Sequence, residues 1–166
     1  MKSNTEQIIL AIDPGYDRCG VAVIKTGTVT TIEHSWCITT DKKESNAQRL
    51  AVIFKNIDEA IATYTPDAIA LETLFFSVNK KTVMAVAESR GVIVVLAGIH
   101  TIPLIELSPQ AVKLGMTGSG NADKTSVQKM VALTLKIDIS KKLDDEIDAI
   151  ALGMAAVGTM RLNNYL

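Results

Sequence analysis

Three apolar runs in the sequence each lie directly beside a carboxylate. The first run ends at Asp13 and the second at Glu72, while Asp145 and Asp148 open the third. A carboxylate beside a buried element is costly to desolvate unless a cation offsets its charge. Acids that come from three separate segments, each next to a core element, therefore predict one shared site.

Four crowded carboxylates repel one another, and divalent cations are the usual means of holding them together. The pattern thus predicts a metal-dependent phosphoryl-transfer enzyme. Two alternatives stay open at this level: Asp13 precedes Pro-Gly and suits a turn, and acids near residue 145 suit a helix N-terminus. Asp144 also adjoins Asp145, so spacing alone leaves the third ligand ambiguous.

Length and composition limit the class of protein. The 166 residues, 48% hydrophobic and 21% charged, predict a single globular domain over residues 1–166. No apolar run reaches the ~18 residues of a membrane span, and the first residues lack the apolar segment of a signal peptide. We therefore expect a cytoplasmic protein. Two cysteines make no disulfide framework.

Charge is distributed unevenly along the chain. The net charge of −1 and the pI of about 6.1 do not indicate a nucleic-acid-binding protein. Residues 77–129 nevertheless carry six basic side chains against three acidic ones, while acids gather at residues 144–148. A basic surface beside an acidic pocket suits a nuclease, although each single lysine also fits a solvated helix face.

Hydrophobic periodicity predicts a mixed α/β sheet flanked by helices. The predicted strands are residues 7–13, 20–25, 29–38, 68–72 and 103–107, and the predicted helices are 45–64, 79–99, 108–113, 122–135 and 143–161, with a flexible loop at 115–120. If the first and fourth strands are parallel neighbours, Asp13 and Glu72 lie side by side. Asp145 and Asp148, spaced i and i+3, then share the helix face that points at them.

The helix predicted at residues 79–99 is apolar almost all round in its second half. Such a helix is either covered by a second subunit as well as by its own sheet, or wholly enclosed in one domain. The sequence alone leaves both arrangements open.

Four motifs, in order and over nearly the whole chain, resemble those of the RuvC Holliday-junction resolvases. They are residues 9–23 (ILAIDPGYDRCGVAV), residues 70–76 with Asn79 and the 88–91 segment (ESRG), residues 110–113 followed by Gly118, 122–124, 127–128 and Met130, and residues 145–151 (DEIDAIA). The resemblance implies an RNase H-like fold, a homodimer, and Mg²⁺-dependent nicking of four-way DNA junctions in recombination and repair. It leaves open which branch-migration motor complex, if any, the protein joins.

The resemblance also implies roles for individual residues. Asp13, Glu72, Asp145 and Asp148 match the metal-binding acids, and Asp145 is favoured over Asp144 because it lies three residues before Asp148. Phe75 matches an aromatic residue used at the junction, where it would stack on an unpaired base. Lys113 and Lys124 match basic residues that contact DNA near the cut. The low pI departs from a family whose members are often basic.

Phosphodiester hydrolysis by two Mg²⁺ ions, for which Mn²⁺ can substitute, is the expected mechanism. Asp13 is the expected bridging ligand, and Glu72 and the pair Asp145 and Asp148 each complete one metal shell. Lys124 is expected to stabilise the phosphate charge or orient the water.

Three other classes of protein share part of this sequence pattern. Another RNase H-like nuclease, acting on RNA or other branched nucleic acid, would use the same acids. ATP-binding proteins resembling actin and sugar kinases share the Asp-x-Gly start, but this chain is too short for their second domain. A junction-binding protein without activity would have lost an acid, and none is missing.

Overall fold

The computed structural model describes residues 6–74 and 80–163, and it contains one five-stranded sheet with helices on both faces. The strands are β1 (Gln7–Asp13), β2 (Arg18–Thr26), β3 (Thr31–Thr39), β4 (Ala68–Glu72) and β5 (Leu104–Leu107). The helices are α1 (Asn46–Tyr64), α2 (Lys80–Ile99), α3 (Pro109–Thr117), α4 (Lys124–Leu135) and α5 (Asp144–Asn163). The predicted mixed α/β sheet is confirmed.

The order of the strands is β3-β2-β1-β4-β5. β2 pairs antiparallel with both β1 and β3, whereas β4 pairs parallel with β1 and with β5. The short turns after β1 and β2 permit the antiparallel pairs, and helices α1 and α2 make the longer connections that parallel pairing needs. The predicted adjacency of the first and fourth strands is confirmed.

β1 lies at the centre of the sheet, which explains its continuous apolar sequence. Ile9 and Ala11 pack toward α5, while Leu10 and Ile12 pack toward α1 and α2 on the other face. The sheet is therefore buried between two helical layers, and the end of β1 opens where these layers meet. Within the described part of the chain, no helix combines the length and apolar character needed to cross a bilayer.

Several predicted boundaries were wrong. β2 begins at Arg18 rather than residue 20, and β3 begins at Thr31 rather than residue 29. α3 continues to Thr117, so the first three residues of the predicted loop 115–120 are helical. Buried Val112 and Met116, one turn apart, extend the apolar face past the glycine that suggested a loop.

Helix α2 has one buried side and one exposed apolar side. Ile93 and Leu96 are fully buried against the sheet. Met84, Val95 and Ile99, in contrast, are 66%, 56% and 64% exposed. The alternative in which this helix is wholly enclosed in its own domain is therefore wrong for the single chain.

Candidate active site

Asp13 and Glu72 end neighbouring parallel strands, one step beyond the paired residues Ile12 and Leu71. Burial, followed by the negative charges of Glu72, Asp148 and Asp145, raises the pKa of Asp13 to about 8. Burial and the charge of Asp148 raise the pKa of Glu72 to about 6. These two side chains are thus partly buried acids that share one negative environment.

Asp148, which lies on α5, is close to Asp13 and Glu72. Burial raises its pKa, the hydrogen bond and charge of Lys124 oppose this, and the charges of Asp144 and Asp145 add to the rise. Asp13, Glu72 and Asp148 line one cavity of about 290 Å³, together with Lys113 and Lys124. The structure therefore brings five of the predicted site residues to one cavity.

Asp145 lies beside this cavity, not in its wall. Its Oδ2 atom is buried and accepts no hydrogen bond. The Nε of Arg18 is 3.1 Å from that oxygen, close enough for an ion pair but not oriented to donate a hydrogen bond. Asp145 is close to the other acids, because its charge contributes to the raised pKa of Asp13.

Asp144, the alternative third ligand, is more exposed than its neighbour. Its side chain is 65% exposed, against 26% for Asp145. It accepts a hydrogen bond from Nε2 of Gln128, and one of its oxygens lies 3.4 Å from Nζ of Lys124. This geometry favours Asp145 over Asp144 as the acid directed toward Asp13.

A glycine in β2 allows α5 to approach this closely. A Cβ atom on Gly20 would lie 1.8 Å from the main-chain oxygen of Asp145, which no side chain can tolerate. Gly20 is paired with Asp13 in the β1–β2 ladder. The strand position opposite Asp13 must therefore be glycine for the first turn of α5 to reach the site.

Lys124 is the cation that the chain itself places among these acids. Asp123 caps α4 by accepting a hydrogen bond from the Ser126 amide at 2.7 Å, which fixes Lys124 in the first turn. Its Nζ donates to Oδ2 of Asp148 at 2.9 Å. Partial burial opposes ionisation, but the hydrogen bond and charge of Asp148 and the charge of Asp144 raise the pKa of Lys124.

The donor set of the site suits a divalent cation. Carboxylate oxygens are hard ligands, and the buried Oδ2 of Asp145 accepts no hydrogen bond although Arg18 lies at ion-pair distance. Across residues 6–74 and 80–163, no group of three or more His, Cys, Asp or Glu side chains is arranged to hold a metal ion as the chain stands. Lys124 and Arg18 engage Asp148 and Asp145, so metal binding requires these contacts to adjust.

One predicted site residue lies outside the described part of the chain, and three contacts near the site were not predicted from the sequence. Phe75, predicted to stack on a base, falls outside the described residues. Arg18 was not predicted as a partner of Asp145, because nothing in its spacing indicates that contact. The 88–91 segment was noted only as a motif, yet Ser89 and Arg90 contact the loop after Asp13 and the main chain of Glu72.

Comparisons with known proteins agree with this architecture. The family model described as crossover junction endodeoxyribonuclease RuvC matches residues 9–156. A protein of that name from Thermosipho melanesiensis is 43% identical over 146 residues, covering 87% of this chain and 92% of the relative. One from Brachyspira hyodysenteriae is 40% identical over 158 residues, covering 95% and 98%.

Two solved structures share the fold. Thermus thermophilus RuvC in complex with a Holliday junction substrate superposes with a TM-score of 0.89 at 24% identity, covering 95% of this chain and 96% of that one. The yeast mitochondrial Holliday junction resolvase Ydc2 gives a TM-score of 0.64 at 13% identity, covering 92% and 77%. The sequence-based expectation of an RNase H-like fold of the RuvC type is confirmed.

Proposed function

Because the chain belongs to the RuvC family of crossover junction endodeoxyribonucleases, we propose that it resolves four-way DNA junctions by paired symmetric nicks. It acts in homologous recombination and DNA repair as a single nuclease domain in the cytoplasm. The observation that carries the catalytic part is the meeting of partly buried acids at one cavity, where burial and neighbouring acids raise the pKa of Asp13 to about 8. The proposal that the substrate is a DNA junction is supported by membership of the family.

Membership of this family implies dependence on divalent metal ions. Mg²⁺ is the proposed ion, two per site, with Mn²⁺ able to substitute; such ions activate water and neutralise charge on the phosphate and the leaving oxygen. Asp13, Glu72, Asp145 and Asp148 are the residues that would hold them. In such a site Asp13 would be ionised at neutral pH, because bound positive charge favours the carboxylate.

The lysines act on the phosphate from the cavity wall. In the chain alone, Lys124 donates to Asp148. With its acid partners bound to cations, its ammonium would be able to donate to a phosphate oxygen and stabilise developing negative charge. Lys113, on the same cavity, is placed to bind the DNA backbone. Phe75, three residues after Glu72, is proposed to stack on a base at the junction.

A homodimer presents two such sites to the symmetry-related strands of a junction. The exposed apolar side of α2, formed by Met84, Val95 and Ile99, supports this proposal. Exposed Gly91 and Gly98 leave open space beside it, so another backbone can approach closely. A branch-migration motor complex is a further proposed partner.

Cleavage of defined substrates tests the function. The protein is incubated with a synthetic four-way junction, a linear duplex of the same sequence and a structured RNA, each with EDTA, Mg²⁺ or Mn²⁺. We expect paired nicks in the junction alone, and only with a divalent ion. Failure to cut the junction with any divalent ion would exclude the resolvase function. Preferential cutting of the RNA would instead support another RNase H-like nuclease.

Light scattering tests the dimer. We expect a particle of twice the 17.8 kDa mass of the chain. Val95→Asp should produce monomers, because it places a charge in the proposed apolar interface. Leu133→Asp is the matched control, since Leu133 is 71% exposed on α4. A monomeric wild-type protein at micromolar concentration would contradict the dimer.

A further inference from the structure

Three consecutive residues of α2 tie this helix to the elements around the site. Glu88 accepts a hydrogen bond from Asn46 at the start of α1, Ser89 contacts the loop after β1, and Arg90 contacts the end of β4. We propose that Ser89 and Arg90 are positioning residues that hold Asp13 and Glu72 at the spacing required for metal binding and cleavage. This inference rests on the proposed function and deepens it.

Ser89 anchors the loop that follows Asp13. Its side chain is fully buried, and its Oγ donates to the main-chain oxygen of Gly15 at 3.0 Å. The amide of Gly15 in turn donates to the main-chain oxygen of Asp13 at 3.0 Å. Since a buried carbonyl without a donor is unfavourable, this bond fixes the chain two residues beyond the acid.

Arg90 anchors the end of the neighbouring strand. Its Nε donates to the main-chain oxygen of Glu72 at 3.4 Å, and another nitrogen of its guanidinium pairs with Glu106 of β5. The side chain of Arg90 is only 20% exposed. One planar side chain therefore holds the main chain of Glu72 and binds it to β5.

The site needs the contacts of Ser89 and Arg90 because its acids repel each other. The β1–β4 ladder ends at Ile12 and Leu71, so no direct pairing joins Asp13 to Glu72, although each is still paired with its other neighbour, Gly20 or Leu107. Two carboxylates at the ends of adjacent parallel strands repel each other when both are ionised. α2 carries both anchors on adjacent residues, and its buried face is held by Ile93 and Leu96. A rigid helix thus joins the two strand ends where the ladder no longer does.

The test measures Mn²⁺ binding without DNA by calorimetry, alongside single-turnover junction cleavage with Mn²⁺. Junction affinity in EDTA and thermal unfolding are measured for the same proteins. We expect Ser89→Ala and Arg90→Ala to weaken Mn²⁺ binding about tenfold and to slow cleavage about 10²-fold, because small displacements of catalytic groups cost rates of that size. Junction affinity in EDTA should stay within about twofold of wild type, since neither side chain contacts the substrate in this assignment.

Glu88→Gln is the matched control. It alters the adjacent residue and its contact with α1, but it reaches neither strand end. We expect wild-type Mn²⁺ binding and cleavage from this variant. An equal loss in Glu88→Gln would show that general packing of α2 matters, and would overturn the specific role of Ser89 and Arg90.

Mn²⁺ affinity and cleavage rates within about twofold of wild type in both alanine variants would also overturn the inference. If Arg90→Ala does not fold, Arg90→Lys decides by the same criterion, because one ammonium cannot replace the guanidinium that serves both Glu72 and Glu106. The two proposals fail separately. A wild-type protein that binds Mn²⁺ but leaves the junction intact would exclude the proposed function, while the Mn²⁺ titrations of the variants still decide the positioning role.

Discussion

Two groups of side chains meet the loop that follows β1, and they differ in how far their charges are neutralised within the protein. The acid group consists of Asp13, Glu72, Asp145 and Asp148. The Arg49 cluster consists of Arg49, Asp17, Tyr16, Thr40 and Lys42. In the first group the pKa of Asp13 is raised to about 8, mainly by burial and by neighbouring acids. In the second, hydrogen bonds from Lys42 and Arg49 lower the pKa of Asp17.

The Arg49 cluster satisfies its charges within the protein. Buried Arg49 donates to Oγ1 of Thr40 at 2.9 Å and to Oδ1 of Asp17 at 2.5 Å, and its guanidinium lies 3.6 Å from the ring centroid of Tyr16. The acid group has more negative charge than Lys124 and Arg18 can neutralise. The difference indicates that the cluster holds the loop after Asp13, whereas the acid group depends on cations from solution.

Removing the central acid should have the largest effect. We expect Asp13→Asn to reduce the junction cleavage rate by at least about 10³-fold, because the amide cannot supply the charge that holds the metals. In metal-free buffer near pH 7 the same variant should be more stable than wild type, since Asp13, whose pKa is about 8 in the folded protein, must take up a proton on folding and the amide need not. Cleavage assays and urea denaturation measure the two effects. Cleavage at the wild-type rate would show that Asp13 is not part of the catalytic site.

Breaking the Arg49 cluster should act on stability first. Arg49→Ala is expected to lower the free energy of unfolding by about 3 kcal/mol, because it removes a buried guanidinium and leaves its acceptors unpaired. Urea denaturation provides the measurement. Lys42→Ala is the matched control, since Lys42 also pairs with Asp17 but is 75% exposed, so we expect a loss below about 1 kcal/mol. Equal losses would contradict the comparison between buried and exposed partners.

The pH dependence of stability should show the acid group directly. The pKa of Asp13 rises on folding from 3.8 to about 8, and that of Glu72 from 4.5 to about 6. The unfolded chain therefore binds fewer protons than the folded one between these values, and the free energy of unfolding falls as pH increases. We expect a fall of about 2 kcal/mol or more between pH 5 and pH 8 in EDTA.

Divalent metal should abolish that trend. Mg²⁺ or Mn²⁺ stabilises the ionised acids, so the unfolding free energy should become nearly independent of pH over the same range. Chemical denaturation at several pH values, with metal and with EDTA, measures both curves. Asp13→Asn should have a shallower slope in EDTA than wild type. A metal-free stability that increases between pH 5 and pH 8 would contradict the assignment of uncompensated acids.

The acids and the sheet were predictable because they leave local signals. A buried strand followed by a carboxylate is visible in the sequence at Asp13 and at Glu72, and the i, i+3 spacing of Asp145 and Asp148 indicates a shared helix face. The sequence left the parallel pairing of β1 and β4 as a condition, and the structure confirms it. The members of the acid group can therefore be identified from the sequence alone.

The compensating residues were not predictable in the same way. Arg49 lies on a helix and looks like a solvated side chain, but tertiary packing buries it against Tyr16. Arg18, as the partner of Asp145, depends on the approach of α5 to β2, which no local pattern encodes. Ion pairs between distant segments follow from packing, whereas strands and caps follow from local periodicity. Lys124 was identified through the family motif, but not its contact with Asp148.

The smallest expected effect is at Asp17, because this acid is half exposed. Its pKa is lowered in the folded state, so its ion pairs stabilise the protein above the unfolded pKa and cease to do so as pH falls through the folded pKa. Solvent screening limits the loss in Asp17→Asn to about 1 kcal/mol or less near pH 7. Urea denaturation at pH 7 and near pH 3 measures it, and Glu44→Gln, which changes an exposed acid in the loop before α1, is the control. A loss at Asp17 as large as that at Arg49 would show that the ion pair, not the buried guanidinium, holds the loop beside Asp13.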